Sequence, residues 1–490
     1  MHTGGMLKVT ADRSWPLFDV AATRRIEQAA AAALAPHALM QRAGLAVARL
    51  ALAIAPHARS VWIACGPGNN GGDGMEAALH LRQWGREVTL TLEGQPEALP
   101  PDAAAAWARC GQAGITAATQ APAAWDLGID ALLGIGHSRP LAGGVAMAAL
   151  ALNAGPGPVL AVDVPSGLAA DTGNGDCVRA THTLCLLTLK PGLFTAQGRD
   201  AAGQVWMDDL GIAAPPDATV WLAGPPSRVQ RPHATHKGNY GDVAVIGGAR
   251  GMAGAAVLAA SGALHAGAGR VFLGLLDGAG LGIVPGQPEV MVRDWHGLAL
   301  EDLAVACGCG GGNAVAEVLP EILRRSARLV LDADGLNAVA SSNALHELLL
   351  ARAARGTATV LTPHPLEAAR LLGSNVGEVQ ADRLRAAEAL AARYRATVVL
   401  KGSGTVIAAL GERPRINATG NASLASAGTG DVLAGWIGGR WLAQTAAIEA
   451  ATLAVVEHGA AAEPEASGAL RAGDLVERLH ARARSASAAI

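Results

Sequence analysis

Long apolar runs, paired cysteines and lysine are what this 490-residue sequence lacks. No stretch approaches the roughly 18 uninterrupted apolar residues of a membrane-spanning helix, so none is expected. Met1–Ser14 has no apolar core of the kind a secretory leader carries, and no leader is expected there. The six cysteines, Cys65, Cys110, Cys177, Cys185, Cys307 and Cys309, form no CxxC pair. A chain this long needs no disulfide staples, so neither structural zinc nor an oxidising compartment is expected, and a cytoplasmic location fits. Charge is sparse and balanced, 16% of residues with a formal net of −3, which gives no electrostatic reason to expect nucleic acid or an acidic membrane as partner. Glycine is plentiful at 62 residues but shows no G-X-Y period, which excludes a collagen-like chain. No 20–50-residue repeat marks a solenoid. Only four lysines occur, and Lys190, Lys237 and Lys401 fall in glycine-containing segments, Lys8 being the fourth.

What is present is a 51% hydrophobic chain, which excludes disorder. At roughly 150 residues per domain it holds two or three domains. Strand-like apolar runs alternate with Ala-rich helical stretches, the pattern of α/β folds with buried parallel sheets. In the first half, strands are expected at Val61–Cys65, Val88–Leu92, Ile129–Leu133, Val159–Val164 and Thr183–Leu189, with helices at Thr23–Leu34 and Leu39–Ile54. In the second half, strands are expected at Asp242–Ile246, Arg270–Leu276, Arg328–Asp332, Thr359–Thr362, Thr397–Lys401 and Thr405–Ala409. Ala213–Pro232, with two Pro-Pro pairs around a short apolar run, reads as a linker. Domains are therefore expected at 1–222 and 223–490.

Four first-half segments carry chemistry. VWIAC runs into GPGNNGGDG, whose glycines let backbone N–H groups approach an anion and whose Asn and Asp offer oxygens to a hydroxyl or cation. The alternative is a tight strand–helix turn. DALLGIGHSRP repeats the pattern, with Asp130 in apolar company. VLAVDVPSG places Asp163 at a strand's C-terminal end, where ligands of open α/β sheets bind and a carboxylate can serve as acid or base. It could equally cap the next turn. LKPGLFTAQGR places Lys190 after a strand, with a solvated loop as the plain alternative.

In the second half, HKGNYGDVAVIGG opens a strand; His233 and His236 read as loop residues rather than metal ligands. ACGCGGG is a glycine turn whose two Cys read as small filler. DADGLN and TPHPLE follow strands, with His364 at a site mouth and Pro365 and Glu367 opening a helix. KGSGT lies between two strands, either a phosphate-holding turn with its lysine or a plain hairpin. GTGD opens the helix DVLAGWIGG, where Gly428–Gly430 can form an anion hole and Asp431 can take a hydroxyl proton, or simply cap the helix.

Together the first four segments, with LMQRAG at Leu39–Gly44, resemble the NAD(P)HX epimerase domain of the NAD(P)H-hydrate repair proteins, over roughly residues 17–212. KGNYG, GGARGMAGAA, PEVMV, DADGLN, TPHP, KGSGT and GTGDVLAG, in this order over about 235–444, are similar to ADP-dependent NAD(P)H-hydrate dehydratase. The resemblance implies two three-layer α/β domains, the first Rossmann-like and the second ribokinase-like. It implies that Asn69, Asn70, Gly71, Gly72 and Asp73 bind hydrated nucleotide together with Gly134, Ile135, Gly136, His137, Ser138, Arg139 and Pro140. Asp163 would interconvert the epimers, and Asn70, Asp130 and Ser166 would hold K+. In the second domain, Lys401, Gly402, Ser403, Gly404, Thr405 and Gly430 would bind ADP. Ala255, Gly312, His364 and Asp431 would bind the hydrated nucleotide, with Asp431 catalytic. Mg2+ is expected with ADP. The implied partners are NADHX or NADPHX and ADP, with assembly into a homo-oligomer.

Two motifs depart from the family: GPGLG becomes Gly308-Cys309-Gly310-Gly311-Gly312, and GMATGGTGD becomes SLASAGTGD from Ser423. The competing reading is a small-molecule kinase of the hydroxymethylpyrimidine type joined to a non-catalytic nucleotide-binding module.

Overall fold

The computed structural model describes residues 5–136, 140–213, 215–225, 232–276, 281–444, 446–463 and 468–485. They fall into two compact units, Met1–Thr10 with Trp15–Leu222, and Ala11–Ser14 with Ala223–Ile490.

The first unit is built on an eight-stranded sheet in the order Leu7–Lys8, Gln204–Asp208, His182–Leu186, Val159–Val162, Leu127–Ala131, Ser60–Cys65, Glu87–Leu92, Ala117–Ala118. Only the first pair is antiparallel. The Ser60–Cys65 strand shows why both faces must be covered. Val61, Ile63 and Cys65 pack with helices Ala38–Ile54, Asn69–Gln83 and Pro101–Gln112, whereas Trp62 and Ala64 pack with Gly143–Ala154. Period-two alternation thus sends apolar side chains to both sides, giving three layers. From Ser60–Cys65 the chain builds outward to Glu87–Leu92, then returns to Leu127–Ala131 on the other side. A crevice opens at such a reversal, beyond the strands' carboxyl ends.

The second unit's sheet runs Val290–Val292, Arg270–Leu275, Asp242–Gly247, Ala304–Cys307, Arg328–Leu331, Thr359–Leu361, Thr397–Leu400, Val406–Ala408, Arg415–Asn417. It is parallel as far as Thr397–Leu400 and antiparallel after it. Its reversal lies between Asp242–Gly247 and Ala304–Cys307. Helices Ala253–His265, Thr429–Trp441, Ala447–Ala460 and Ala472–Ser485 join one buried cluster with Val243, Val245, Leu273 and Val330. The small residues after GGARGM, which from sequence serve both helix and ligand packing, meet the Thr429–Trp441 helix. A Cβ on Gly435 would lie 1.8 Å from Ala259 O, so glycine permits this crossing.

Strand ends differ from the sequence expectation by at most three residues. The larger correction concerns Ala213–Pro232. Within it Val220–Ala223 is a strand, paired antiparallel with Trp15–Leu17 through Val220↔Leu17 and Leu222↔Trp15. The prolines flank VWLA without interrupting it, and its partner lies about two hundred residues earlier. Residues 214 and 226–231 of that segment lie outside the described set. No helix of the described residues is long and apolar enough to cross a membrane.

Candidate active sites at two sheet reversals

A cavity of about 540 Å³ sits at the first unit's reversal. The helix there begins at Asn69, inside the glycine motif rather than after it. Asn69, Asn70 and Asp73 line the cavity. Gly71 and Gly72 do other work: a Cβ on Gly71 would meet Gly66 O at 2.1 Å, and one on Gly72 would meet the Met40 side chain at 2.5 Å. These glycines let the helix start press against its own loop and the neighbouring helix. Gly134, Ile135 and Gly136 line the opposite wall, whereas Pro140 is exposed outside it. His137, Ser138 and Arg139 lie outside the described residues.

Asp163 reaches the cavity from the end of Val159–Val162 in a left-handed conformation, φ 68°. For a non-glycine residue this costs about 1–2 kcal/mol, and its partners hold it there. Its backbone N–H donates to Leu184 O at 2.8 Å, and Leu186 N–H donates to its Oδ1 at 3.1 Å. Lys190 Nζ is paired with the same oxygen and donates to Leu186 O at 2.9 Å. The solvated-loop alternative for Lys190 is thereby corrected, because the residue is 0% exposed. Burial opposes its charge, but the Asp163 carboxylate carries its pKa above the ordinary lysine value. Glu27 and Arg24, from the Val20–Ala33 helix, complete this end. Nothing near Glu27 in sequence marks it out, since it joins the site only through tertiary packing.

Asp130 and Ser166 lie beneath the cavity floor, both 0% exposed. Ser166 Oγ–H donates to Asp130 Oδ1 at 2.5 Å and Ser166 N–H to Oδ2 at 2.8 Å. Leu133 N–H donates to Ser166 Oγ at 2.8 Å. Asn70 stands beside the next residue, Gly134, and its buried amide nitrogen has no partner among the described residues. Burial pushes the Asp130 carboxyl up to about 6, against the Ser166 hydrogen bonds. A buried carboxyl with no cationic partner among the described residues, a hydroxyl and an amide carbonyl form an oxygen set that fits a hard monovalent cation.

The second unit gathers its motifs at its own strand ends. Lys401 Nζ donates to Asp332 Oδ1 at 2.7 Å and lies 4.0 Å from Glu367 Oε2. Thr362 Oγ–H also donates to Asp332 Oδ1, at 2.7 Å. The KGSGT segment is a hairpin turn, since Val398 pairs with Ala408 and Leu400 with Val406. Its lysine nevertheless points into the cluster, so both sequence readings hold in part. Buried Arg383, which the sequence does not single out, props the turn by donating to Leu400 O and Lys401 O, each at 3.1 Å. Thr405 Oγ–H donates to Gly402 O at 3.2 Å. Ser403 and Gly404 occupy the turn between them.

Gly430 lies beside Lys401: a Cβ there would meet Nζ at 3.3 Å. Gly428 caps the Thr429–Trp441 helix in a left-handed conformation, leaving Thr429–Asp431 as its first turn. Asp431, Asp332 and Cys309 bring their carboxylate and thiol atoms within 4.8 Å of one another. Burial, then the Asp332 charge, pushes the Asp431 carboxyl up to about 6, while the Cys309 thiol and Lys401 pull it down. Cys309 is thus more than small filler, because its thiol donates to Asp332 Oδ2 at 3.9 Å and lies beside Asp431. The soft sulfur and the salt bridge to Lys401 make this a poor magnesium cage.

Gly312 N–H donates to Asp334 Oδ2 at 2.8 Å, and Ala255 and Gly310 are close neighbours. His364 caps the Pro365–Leu372 helix: Leu366 N–H donates to its Nδ1 at 3.1 Å, and its Nε2 lies 3.3 Å from Glu367 Oε1. Nδ1 is committed to this capping box, whereas Nε2 stands beside the Glu367 carboxylate on a half-exposed ring. His236 likewise caps its own turn, with Gly238 N–H donating to its Nδ1 at 3.2 Å.

Residues 243–481 match the family described as NAD(P)H-hydrate dehydratase, and residues 36–192 the family described as YjeF-related protein N-terminus. The bifunctional NAD(P)H-hydrate repair enzyme of Escherichia coli (strain K12) is 36% identical over 453 residues, covering 87% of this chain and 84% of that protein. That of Leishmania braziliensis is 34% identical over 498 residues, covering 90% and 88%. A crystal structure of ADP/ATP-dependent NAD(P)H-hydrate dehydratase from Bacillus subtilis, co-crystallised with ATP/Mg2+, is 32% identical, covers 52% of this chain and 93% of that one, and has a TM-score of 0.45. Similarity of this order runs through both halves of one polypeptide, and the chain belongs to the bifunctional NAD(P)H-hydrate repair enzyme family.

Proposed function

We propose that this protein repairs NADH and NADPH hydrated on the nicotinamide ring. Residues 1–222 interconvert the R and S epimers, and residues 223–490 dehydrate the S epimer with ADP, releasing AMP and phosphate. The observation that carries this reading is the likeness to bifunctional relatives across both halves. Each half also gathers acid–base side chains at its sheet reversal.

In the first domain, Asn69, Asn70, Asp73, Gly134, Ile135, Gly136 and Asp163 receive the hydrated nucleotide. Asp163, kept next to the buried Lys190 ammonium, is the base at the hydroxylated carbon. Asn70, Asp130 and Ser166 would hold K+, which supplies a countercharge to the buried carboxyl.

In the second domain, Lys401–Thr405 and Gly430 bind ADP, while Ala255, Gly312, His364 and Asp431 face the hydrated ring. Asp431 takes the hydroxyl proton, and the oxygen attacks the β-phosphorus as AMP leaves. Helix N–H groups at Gly428–Gly430 steady the transferring phosphoryl group. Phosphate then departs as the ring nitrogen's lone pair pushes out the C–O bond. Loss of a proton from the adjacent ring carbon restores the double bond. The nucleotide's phosphates would carry Mg2+, which would neutralise part of their charge.

The test is recovery of reduced-nicotinamide absorbance from mixed NADHX epimers, with ADP, with ATP and with neither. ADP-dependent recovery of the whole mixture, faster than spontaneous epimerisation, is expected. A stall near the S fraction removes the epimerase assignment. No recovery, with a stable phosphorylated alcohol formed instead, replaces the dehydratase with a kinase.

A further inference from the structure

We propose that Asp73 is the general acid that works with Asp163, so that epimerisation proceeds by loss and return of water between two carboxyl groups. This rests on the reading of the first domain as an epimerase.

The chemistry sets the requirement. The hydroxyl sits on a carbon next to the ring nitrogen, so inversion can run through a planar iminium. A proton must reach the departing hydroxyl on one face, and another must leave the water arriving on the opposite face. A single carboxylate on one side cannot do both.

The cavity is lined by four carboxyl groups, Glu27, Asp73, Asp102 and Asp163, from four different parts of the chain, and Asp102 is paired with His37 Nδ1 at 2.5 Å. Asp163 has its lysine and is suited to accept a proton. Burial and the Asp163 charge raise the Glu27 pKa, but Lys190 and Arg24 oppose them and favour its charged form. Asp73 has neither kind of help: among the described residues no hydrogen bond or ion pair engages its carboxyl. Burial, and then the charges of Asp163, Glu27, Glu76 and Asp102, hold it well above the usual carboxyl range. An acid favoured in its protonated form, lining the same cavity as a paired carboxylate, is how one site runs both halves of a proton exchange.

The steps balance. Asp73 gives its proton to the hydroxyl, the C–O bond breaks, and the ring nitrogen's lone pair forms the C=N bond. A second water adds to the other face, and Asp163 takes its proton. The C=N electrons return to nitrogen. The reverse epimerisation, or exchange with solvent, restores the starting protonation. The leaving water is on the wrong face to return, so the new hydroxyl oxygen must come from another water molecule.

The full-length protein is given one NADHX epimer in 18O-labelled water without ADP, which leaves the dehydratase idle. Epimers are separated, the label is read by mass spectrometry, and NADHX binding is measured calorimetrically. The wild type is expected to interconvert epimers with one 18O per inversion. Asp73→Asn is expected to lose inversion and label uptake together by about 100-fold or more, with affinity nearly unchanged. Asp73→Glu, which keeps an acid and serves as the folding control, is expected to retain a measurable part of the rate.

Full activity in Asp73→Asn alongside a dead Asp163→Asn overturns the role of Asp73 but leaves the epimerase standing. Inversion without label overturns the water-loss route. Loss of activity matched by loss of binding reduces Asp73 to a binding group and overturns the proposal. No inversion by the wild type beyond the spontaneous rate overturns the underlying epimerase reading instead.

Discussion

Replacing Lys190 with Met keeps the side chain's length and removes its charge. In the native protein the Lys190 side chain is 0% exposed and the Asp163 side chain 12% exposed. The substitution therefore strands a nearly desolvated carboxylate whose other support is the Leu186 N–H. Breaking a buried pair by removing one partner costs about 3–5 kcal/mol. Asp163 touches the cavity, so the lower end, about 3 kcal/mol, applies. For a domain of this size each kcal/mol moves Tm by about 2–4 °C. The unfolding transition of the first unit should therefore fall by roughly 6–12 °C. Scanning calorimetry of both proteins at neutral pH measures this. A shift below about 2 °C would refute the claim that this pair supports the site.

Three further outcomes concern the second unit. With Asp431 pushed up to about 6, kcat/KM for dehydration should rise with pH and reach half its plateau near pH 6, because the base must be ionised. Cys309→Ala removes the thiol that pulls the Asp431 pKa down, so this limb should move to higher pH. A limb that stays put or moves down sinks the thiol's role. Gly430→Ala places a methyl group 3.3 Å from Lys401 Nζ, and the KM for ADP should rise several-fold while epimerisation is untouched.

How much of this was legible in the sequence depends on the range of the signal. The glycine segments mark where buried strands end, because a chain leaving a covered parallel sheet must turn at once. That local rule locates both sheet reversals and the loops carrying Asp163, Asp332, Lys401 and Asp431. Periodicity likewise locates the central strands. It does not reveal the pairing of Trp15–Leu17 with Val220–Leu222, whose register depends on residues two hundred positions apart. What a glycine does is also hidden. Close backbone approach to a ligand cannot be told from close packing against protein by composition alone. The structure separates Asn69, Asn70 and Asp73, which line the cavity, from Gly71 and Gly72, whose missing side chains make room for protein.

The limit is sharpest for charge. A lysine after a strand reads as a solvated loop, and an Asp in apolar company as a turn, until the partner is known. Lys190 and Asp163 are close enough in the chain for a guess, but nothing local says that one is buried to serve the other. Glu27 arrives from a helix far upstream, and its charge, with burial and the charge of Asp163, makes Asp73 a different chemical group from the same residue on an open surface. Sequence alone reads Cys309 as small filler in a glycine turn. Its placement beside Asp332 and Asp431 makes it an electrostatic neighbour of both carboxylates. Local rules therefore locate a site, whereas the protonation states that decide its chemistry are set by the groups that folding brings around it.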